Sequence, residues 1–351
     1  MGRDYARTQA LDTMLLVLQR EPSLLPAEGH VAFLHARAHP SLKEVFGDRL
    51  VCHQDYKPQA DALEAAGLKT VSIIEGKFPL VLLLPDRQRE QTLADYAQAF
   101  DLLEDGGVLL VGMHNDWGAR RYEKTLNDFV GGVSVISKNH CRAFWTRKEH
   151  APDAALHAEW RAHGELRRAM DGRFWTRPGL FSWEHVDKGS QLLTEHLPKH
   201  IEGRVADLGA GWGFLSDFIL RNHPDIVSLD CFEADRAAVE CMRRNLGLIP
   251  VKLKPKLHWS DVTVGVGDGR CDFIVMNPPF HEGRQPDHLM GAKFIAAAAG
   301  LLKPGGQLWM VANRNLPYEH LLQEAFSSSR IVLQTDGYKI LTGMKAAKPE
   351  R

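Results

Sequence analysis

Val205-Ala206-Asp207-Leu208-Gly209-Ala210-Gly211-Trp212-Gly213 decides the reading of this chain. A short apolar strand, Arg204 to Leu208, runs into an acid and three glycines spaced two apart, and Phe214 to Arg221 then has helical periodicity. Glycine lets the backbone turn tightly and approach a ligand closely. In an open α/β sheet, ligands sit beyond the carboxyl ends of the strands, at such a turn. The dinucleotide fingerprint spaces its glycines as G-x-G-x-x-G, so D-x-G-x-G-x-G points to a nucleotide-like cofactor of another kind.

Outward from this loop the rhythm is β-α-β. Ile226 to Phe232 reads as a strand, and Arg236 to Leu246 as a helix with Asp235 as its N-cap. Phe273 to Met276 is a strand stopped by Pro278 and Pro279. Gly291 to Leu302 is an alanine-rich helix, and Lys303-Pro304-Gly305-Gly306 turns into the strand Gln307 to Ala312. The pattern predicts an α/β fold with a parallel sheet and helices on both faces.

The N-terminal half repeats the plan. Val31 to Leu34 and Leu80 to Leu84 read as strands and Thr92 to Leu103 as a helix, and Glu104-Asp105-Gly106-Gly107 leads into Val108 to Val111. Leu82-Leu83-Leu84-Pro85 sits where Val275-Met276-Asn277-Pro278 sits later. Two tandem Rossmann-like domains, related by duplication, are expected. The first copy has Leu34-His35-Ala36-Arg37 in place of a glycine loop and Leu84 in place of Asn277, so it should keep the scaffold and lack the site. The expected division is 1–145 for this degenerate, non-catalytic domain, 146–172 for a linker, and 173–351 for the catalytic domain.

Composition narrows the setting. A chain of 351 residues exceeds one ordinary core, which agrees with two domains. No segment approaches the roughly 18 apolar residues of a membrane span, and the run Met14 to Leu18 is too short for a signal peptide. Cys52, Cys141, Cys231, Cys241 and Cys271 are scattered without a C-x-x-C pair, which argues against zinc and against a disulfide framework. A reducing cytoplasm, no membrane partner and no metal are expected. The formal net charge of −1 lacks the basic excess common in nucleic-acid binders. Residues 138–177, with nine Lys/Arg against five Asp/Glu, offer a local basic patch, or equally a solvated helical linker.

Asn277-Pro278-Pro279-Phe280 carries the chemistry. An amino group conjugated to a ring is a poor nucleophile, because its lone pair is delocalised. A carboxamide oxygen and a backbone carbonyl can both accept its N–H bonds, which holds the lone pair towards the methyl of a sulfonium cofactor. Asn277, Pro278 and Phe280 are therefore the candidate catalytic residues, with Asn277 also bordering the cofactor. Phe280 adds a stacking face worth roughly 1–3 kcal/mol. Pro279, Phe280 and His281 are the candidate substrate contacts, although a lone histidine is more often a packing residue. Asp207, Gly209, Ala210, Gly211 and Gly213 form the cofactor loop. Glu233, at the end of the second strand, is the choice for the ribose hydroxyls, ahead of Asp230.

These two motifs together resemble the ribosomal RNA guanine-N2 methyltransferases, most nearly the small-subunit (16S) branch. Pro178-Gly179-Leu180-Phe181-Ser182 with Asp187-Lys188-Gly189-Ser190 looks like the segment that closes over the cofactor in that family. Val311-Ala312-Asn313-Arg314 looks like its late strand, and Thr335-Asp336-Gly337-Tyr338-Lys339-Ile340 like its terminal hairpin. The likeness is clear over about 173–345. It implies S-adenosyl-L-methionine as cofactor, with Ser190 beside it and Asp261 reading the adenine amino group. It also implies ribosomal RNA or the small subunit as partner, a monomeric enzyme, and a flipped-out guanine as acceptor. Three departures stand out: Ala210 where many relatives have cysteine, the bulky Trp212 inside the loop, and Glu233 where aspartate is common. The 23S guanine-N2, adenine-N6 and protein-glutamine enzymes, which share N-P-P-[FY], and a non-catalytic RNA-binding scaffold are the alternatives.

Overall fold

In the computed structural model, residues 3–267, 270–279, 281–282, 285–286, 288–335 and 337–347 are described. The chain divides into two units, Met1–Glu165 and Leu166–Arg351.

The first unit holds strands β1 (Val31–Leu34), β2 (Leu50–His53), β3 (Lys69–Val71), β4 (Phe78–Leu83), β5 (Leu103–His114), β6 (Ser134–Lys138) and β7 (Cys141–Arg147). They lie in the order β3-β2-β1-β4-β5-β7-β6, with β7 reversed. The second unit opens with a hairpin, β8 (Arg167–Ala169) and β9 (Phe174–Thr176). Its sheet strands are β10 (Gly203–Leu208), β11 (Ile226–Glu233), β12 (Lys256–Trp259), β13 (Cys271–Met276), β16 (Leu302–Asn313), β17 (Ser328–Gln334) and β18 (Tyr338–Met344). A small ribbon, β14 (His281–Glu282) and β15 (Gln285–Pro286), follows β13. The order β12-β11-β10-β13-β16-β18-β17 repeats that of the first unit. The parallel expectation holds through β16. The hairpin β17–β18 then adds a reversed strand, because its tight connection forces antiparallel pairing.

Side chains alternate across the second sheet, as a two-residue period requires. Val205, Phe273, Val275, Trp309 and Val311 pack into one core cluster. Ala206, Leu208, Ile274, Met276, Leu308 and Met310 pack into another. Burial on both faces explains why these strands read as continuous apolar runs.

The duplication reaches individual bonds. Lys148 Nζ donates to the carbonyls of Phe100 (3.2 Å) and Leu103 (3.0 Å), and Lys345 Nζ does the same at Ala299 (2.6 Å) and Leu302 (2.7 Å). Each lysine satisfies carbonyls left over at a helix C-terminus. Arg142 on β7 pairs with Glu123, and Lys339 on β18 pairs with Glu319. The Gly-Gly pairs differ from expectation. They are not turns before strands but lie inside the long β5 and β16, where the register shifts, and Gly106 and Gly305 both have φ +79°.

Strand register aligns the two switch points. Leu34 pairs with Leu83 as Leu208 pairs with Met276, so His35 stands where Gly209 does and Leu84 where Asn277 does. His35 keeps a left-handed backbone, φ +52° against +73° at Gly209. Its Nε2 lies 3.0 Å from Oδ1 of the buried Asp95. Burial lowers the pKa of His35, but Asp95 outweighs it and the net shift is upward. Asp95 is the seventh residue of the helix Arg89–Leu102, and Phe294 the seventh of the equally long His288–Leu301. A Cβ on Gly209 would stand 3.2 Å from the Phe294 ring. An ion pair thus occupies the place of the glycine and phenylalanine contact of the second unit.

The stretch 146–172, expected as a linker, is shared between the two units, which divide at Glu165 and Leu166. Thr146 and Arg147 finish β7, and the helix Ala154–His163, capped by Asp153, belongs to the first unit. Its Trp160 ring stacks on Phe129 at 4.2 Å and lies 6.0 Å from Tyr96. The charges mask an apolar stripe, Leu156 and Trp160, four residues apart. Several cations of the basic segment are committed within their own unit: Arg142 to Glu123, Lys148 to helix carbonyls, Arg161 to Asp101 and Arg173 to Asp217.

Candidate active site

The glycine loop begins where β10 ends. Gly209 N–H and Ala210 N–H both donate to the Phe232 carbonyl at 2.9 Å, which seats the turn on β11. Gly209, Gly211 and Gly213 have φ of +73°, +55° and +94°. A Cβ on Gly213 would lie 2.9 Å from Met242 Cγ, whereas one on Gly211 would meet nothing within 4 Å. The open side of the loop is therefore at Gly211, where a ligand can approach the backbone.

The acids divide their work. Asp207 is fully buried, accepts from Ser216 Oγ at 2.7 Å, and leaves Oδ1 without a partner among the described residues. Burial pushes its carboxyl up to about 7. It braces the loop against the next helix rather than lining the pocket. Glu233 accepts Gly211 N–H at 2.8 Å and Asp235 N–H at 2.7 Å, and burial raises it to about 7 against those bonds. Gln54, its counterpart beside β1, repeats the staple by donating to the Ala36 carbonyl at 2.7 Å and accepting from Tyr56 N–H at 2.9 Å. The staple is thus part of the scaffold, and the charge is peculiar to the second unit. Asp230 is tied to His258 Nε2 at 2.8 Å, and Asp261 caps the turn Val262–Val264 through Thr263 N–H at 2.8 Å.

Trp212 explains its own bulk. Its ring is 5% exposed and lies 4.8 Å from Phe174 and 5.9 Å from Phe214. Its Nε1–H donates to the Phe181 carbonyl at 3.1 Å. Asn245 Nδ2 donates to the Trp212 carbonyl (2.8 Å) and the Trp175 carbonyl (3.0 Å), and its Oδ1 accepts from Trp175 N–H (2.6 Å). The loop is thereby joined to the hairpin β8–β9 and to segment 177–187. Sequence reasoning missed Asn245 and the hairpin, because three short contacts from distant residues leave no periodic signal.

Asn277 follows β13, with Pro278 buried and Pro279 exposed. Its Nδ2 donates to Asp187 Oδ2 at 2.9 Å and Ser190 Oγ at 2.7 Å. Its Oδ1 is buried with no partner among the described residues. Asp187 caps the helix Lys188–His196 by accepting Ser190 N–H at 2.8 Å. Ser190, expected beside the cofactor, is bonded to Asn277 and lines the same pocket as the glycine loop, and Asp187 was read only as part of the closing segment, with no role of its own. Phe181, Asp187, Ser190, Gly209, Gly211 and Asn277 line one pocket, which brings the two sequence motifs together. Asp207, Glu233 and Asp261 are not among its lining residues. The roles expected of Phe280 and of the His281 side chain fall outside the described residues.

Both the sequence and the fold of this chain have counterparts among known proteins. The family model described as Methyltransferase small domain matches residues 171–342. Ribosomal RNA small subunit methyltransferase C of Pectobacterium atrosepticum is 30% identical over 308 residues, 86% of each chain. The chain belongs to the ribosomal RNA small subunit methyltransferase C family. The Salmonella newport member is 34% identical over 240 residues, 68% of each chain. A solved member, the T. thermophilus 16S rRNA N2 methyltransferase in complex with AdoMet and guanosine, superposes with a TM-score of 0.78 at 25% identity. That match covers 98% of this chain and 92% of the other, so this member shares the fold over nearly its whole length. Among the described residues, all five cysteines are free and buried, no cluster suited to a metal occurs, and no helix is long and apolar enough to cross a membrane.

Proposed function

We propose that the second unit transfers a methyl group from S-adenosylmethionine to the exocyclic N2 amino group of a guanine in 16S ribosomal RNA. The observation that carries this reading is the buried, unpartnered Oδ1 of Asn277 beside the open face of the glycine loop. The family members named above and the partner molecules of the solved one support the cofactor and the acceptor.

The residues fit the cofactor. Gly211 leaves its backbone open to a ligand, since a Cβ there would meet nothing within 4 Å, and the Glu233 carboxylate, at the end of β11, is the group for the ribose hydroxyls. When bound, the cofactor supplies an electrophilic methyl on a sulfonium. Asn277 Oδ1 accepts one N–H of the acceptor, and the Pro278 carbonyl accepts the other. This fixes the plane of the amine and draws its lone pair out of conjugation. The amine so held would be the nucleophile toward the methyl group that a bound S-adenosylmethionine would supply, with S-adenosylhomocysteine as the leaving group and the surplus proton passing to water. Placement is the main contribution of the protein. We assign no chemistry to the first unit, whose switch point carries His35 and Leu84 instead of glycine and asparagine. We expect a monomer acting in the cytoplasm on ribosomal RNA or the small subunit.

The test presents radiolabelled S-adenosylmethionine with 16S rRNA, 23S rRNA, small subunits and release factor, followed by mass spectrometry of the product. N2-methylguanine in 16S rRNA is expected. Label in protein, or on adenine, would overturn the reading. Asn277→Ala should lower turnover at least about a hundredfold, the scale of losing one positioned hydrogen-bonding group, and leave cofactor affinity within about twofold on the same ground.

A further inference from the structure

We propose that Asp187 is the positioning residue that decides which end of the Asn277 amide faces the acceptor amine. The proposal rests on the methyltransferase reading of the site. A carboxamide has two ends of nearly equal shape and opposite polarity. Turned the wrong way, Asn277 would present N–H groups to the N–H groups of the acceptor, and the site could not hold the substrate. Something must tell the ends apart. Ser190 Oγ, 2.7 Å from Nδ2, cannot, because a hydroxyl donates as readily as it accepts. Asp187 Oδ2, 2.9 Å from Nδ2, can, because a carboxylate only accepts. The Asn277 amide nitrogen is thereby held inward and Oδ1 is left for the substrate.

Asp187 is itself fixed. The oxygen that takes Asn277 also takes Ser190 N–H at 2.8 Å, which anchors it to the first turn of the helix. Gly189 lets that turn seat closely, since a Cβ there would lie 2.9 Å from the Tyr338 ring and 3.0 Å from Asp187 Oδ2. Asp187 therefore does two things with one atom, and a substitution can separate them. Serine is an N-cap as good as aspartate, but its hydroxyl donates as readily as it accepts, so it would cap the helix without telling the ends of the Asn277 amide apart.

The test is Asp187→Ser in the full-length chain, with Asp187→Ala for comparison. In Asp187→Ser, the expected result is an unchanged melting temperature and cofactor Kd, with kcat lowered at least about tenfold. The side-chain NH2 resonances of Asn277 in 15N–1H spectra should also move, a readout that needs no turnover. Asp187→Ala should lose both kcat and melting temperature. Full kcat with unmoved resonances in Asp187→Ser would overturn the proposal and leave a helix cap only. A raised cofactor Kd, with kcat restored at saturation, would also overturn it and make Asp187 a cofactor ligand. Wild-type enzyme that methylates no RNA would refute the functional reading instead, and the resonances would still report on the amide.

Discussion

Trp212 links the glycine loop to the segment that borders the pocket, so Trp212→Phe and Trp212→Ala should separate packing from tethering. The indole is 5% exposed and in contact with two further aromatic rings. Truncating a buried aromatic to alanine costs about 3–5 kcal/mol. Phenylalanine keeps most of the packing but removes the N–H bond to the Phe181 carbonyl, a net loss of about 0.5–1.5 kcal/mol. The Phe181 side chain is 66% exposed and adds little anchorage of its own. Segment 177–187 must then be ordered when cofactor binds, and about 1.4 kcal/mol of that cost is a tenfold change in affinity. Trp212→Phe is therefore expected to weaken S-adenosylmethionine binding by about three- to tenfold, with a melting temperature only about 2–4 °C lower. Titration calorimetry and scanning calorimetry measure the two quantities. The reasoning is refuted if Trp212→Phe binds cofactor as the wild type does while Trp212→Ala merely loses stability, because the indole N–H would then tether nothing.

Two further predictions concern charge. Burial raises the Glu233 carboxyl from its ordinary range to about 7, so folding is favoured through this group below pH 4.5 and loses that contribution as pH rises to 7. Conversely, if the ionised form holds the ribose, cofactor affinity should climb with pH to a plateau above 7, and Glu233→Gln should abolish that slope in calorimetric titrations from pH 6 to 8.5. Lys148→Met and Lys345→Met remove equivalent helix caps. Each should cost its own unit about 1 kcal/mol in urea unfolding, and an effect in only one unit would argue against equivalent roles.

The sequence held the fold because its apolar runs, glycines and prolines act locally. β10, β11, β13 and the helices between them lie where periodicity puts them, within a residue or two, and the second motif falls beside the first because parallel strands align their carboxyl ends. What escaped the sequence depends on contacts across the fold. Asp187 meets Asn277 over 90 residues of chain, and nothing near either residue announces the other. Trp212 looked like an intrusion in a glycine loop because its pocket is assembled from Phe174, Leu180, Ala238 and Cys241. The stretch 146–165 looked like a tether because its charges outnumber the two apolar residues that dock it. The family match likewise opens at residue 171, between the strands of the β8–β9 hairpin, although that hairpin is bonded to the cofactor loop through Asn245.

The left-handed backbone at His35 keeps the path that Gly209 takes in the second unit, at a cost of order 1 kcal/mol for a residue with a side chain. The His35–Asp95 pair sits where the bare glycine meets Phe294 in the other half. One turn therefore has two fillings: a polar plug in the first half and an open cradle in the second.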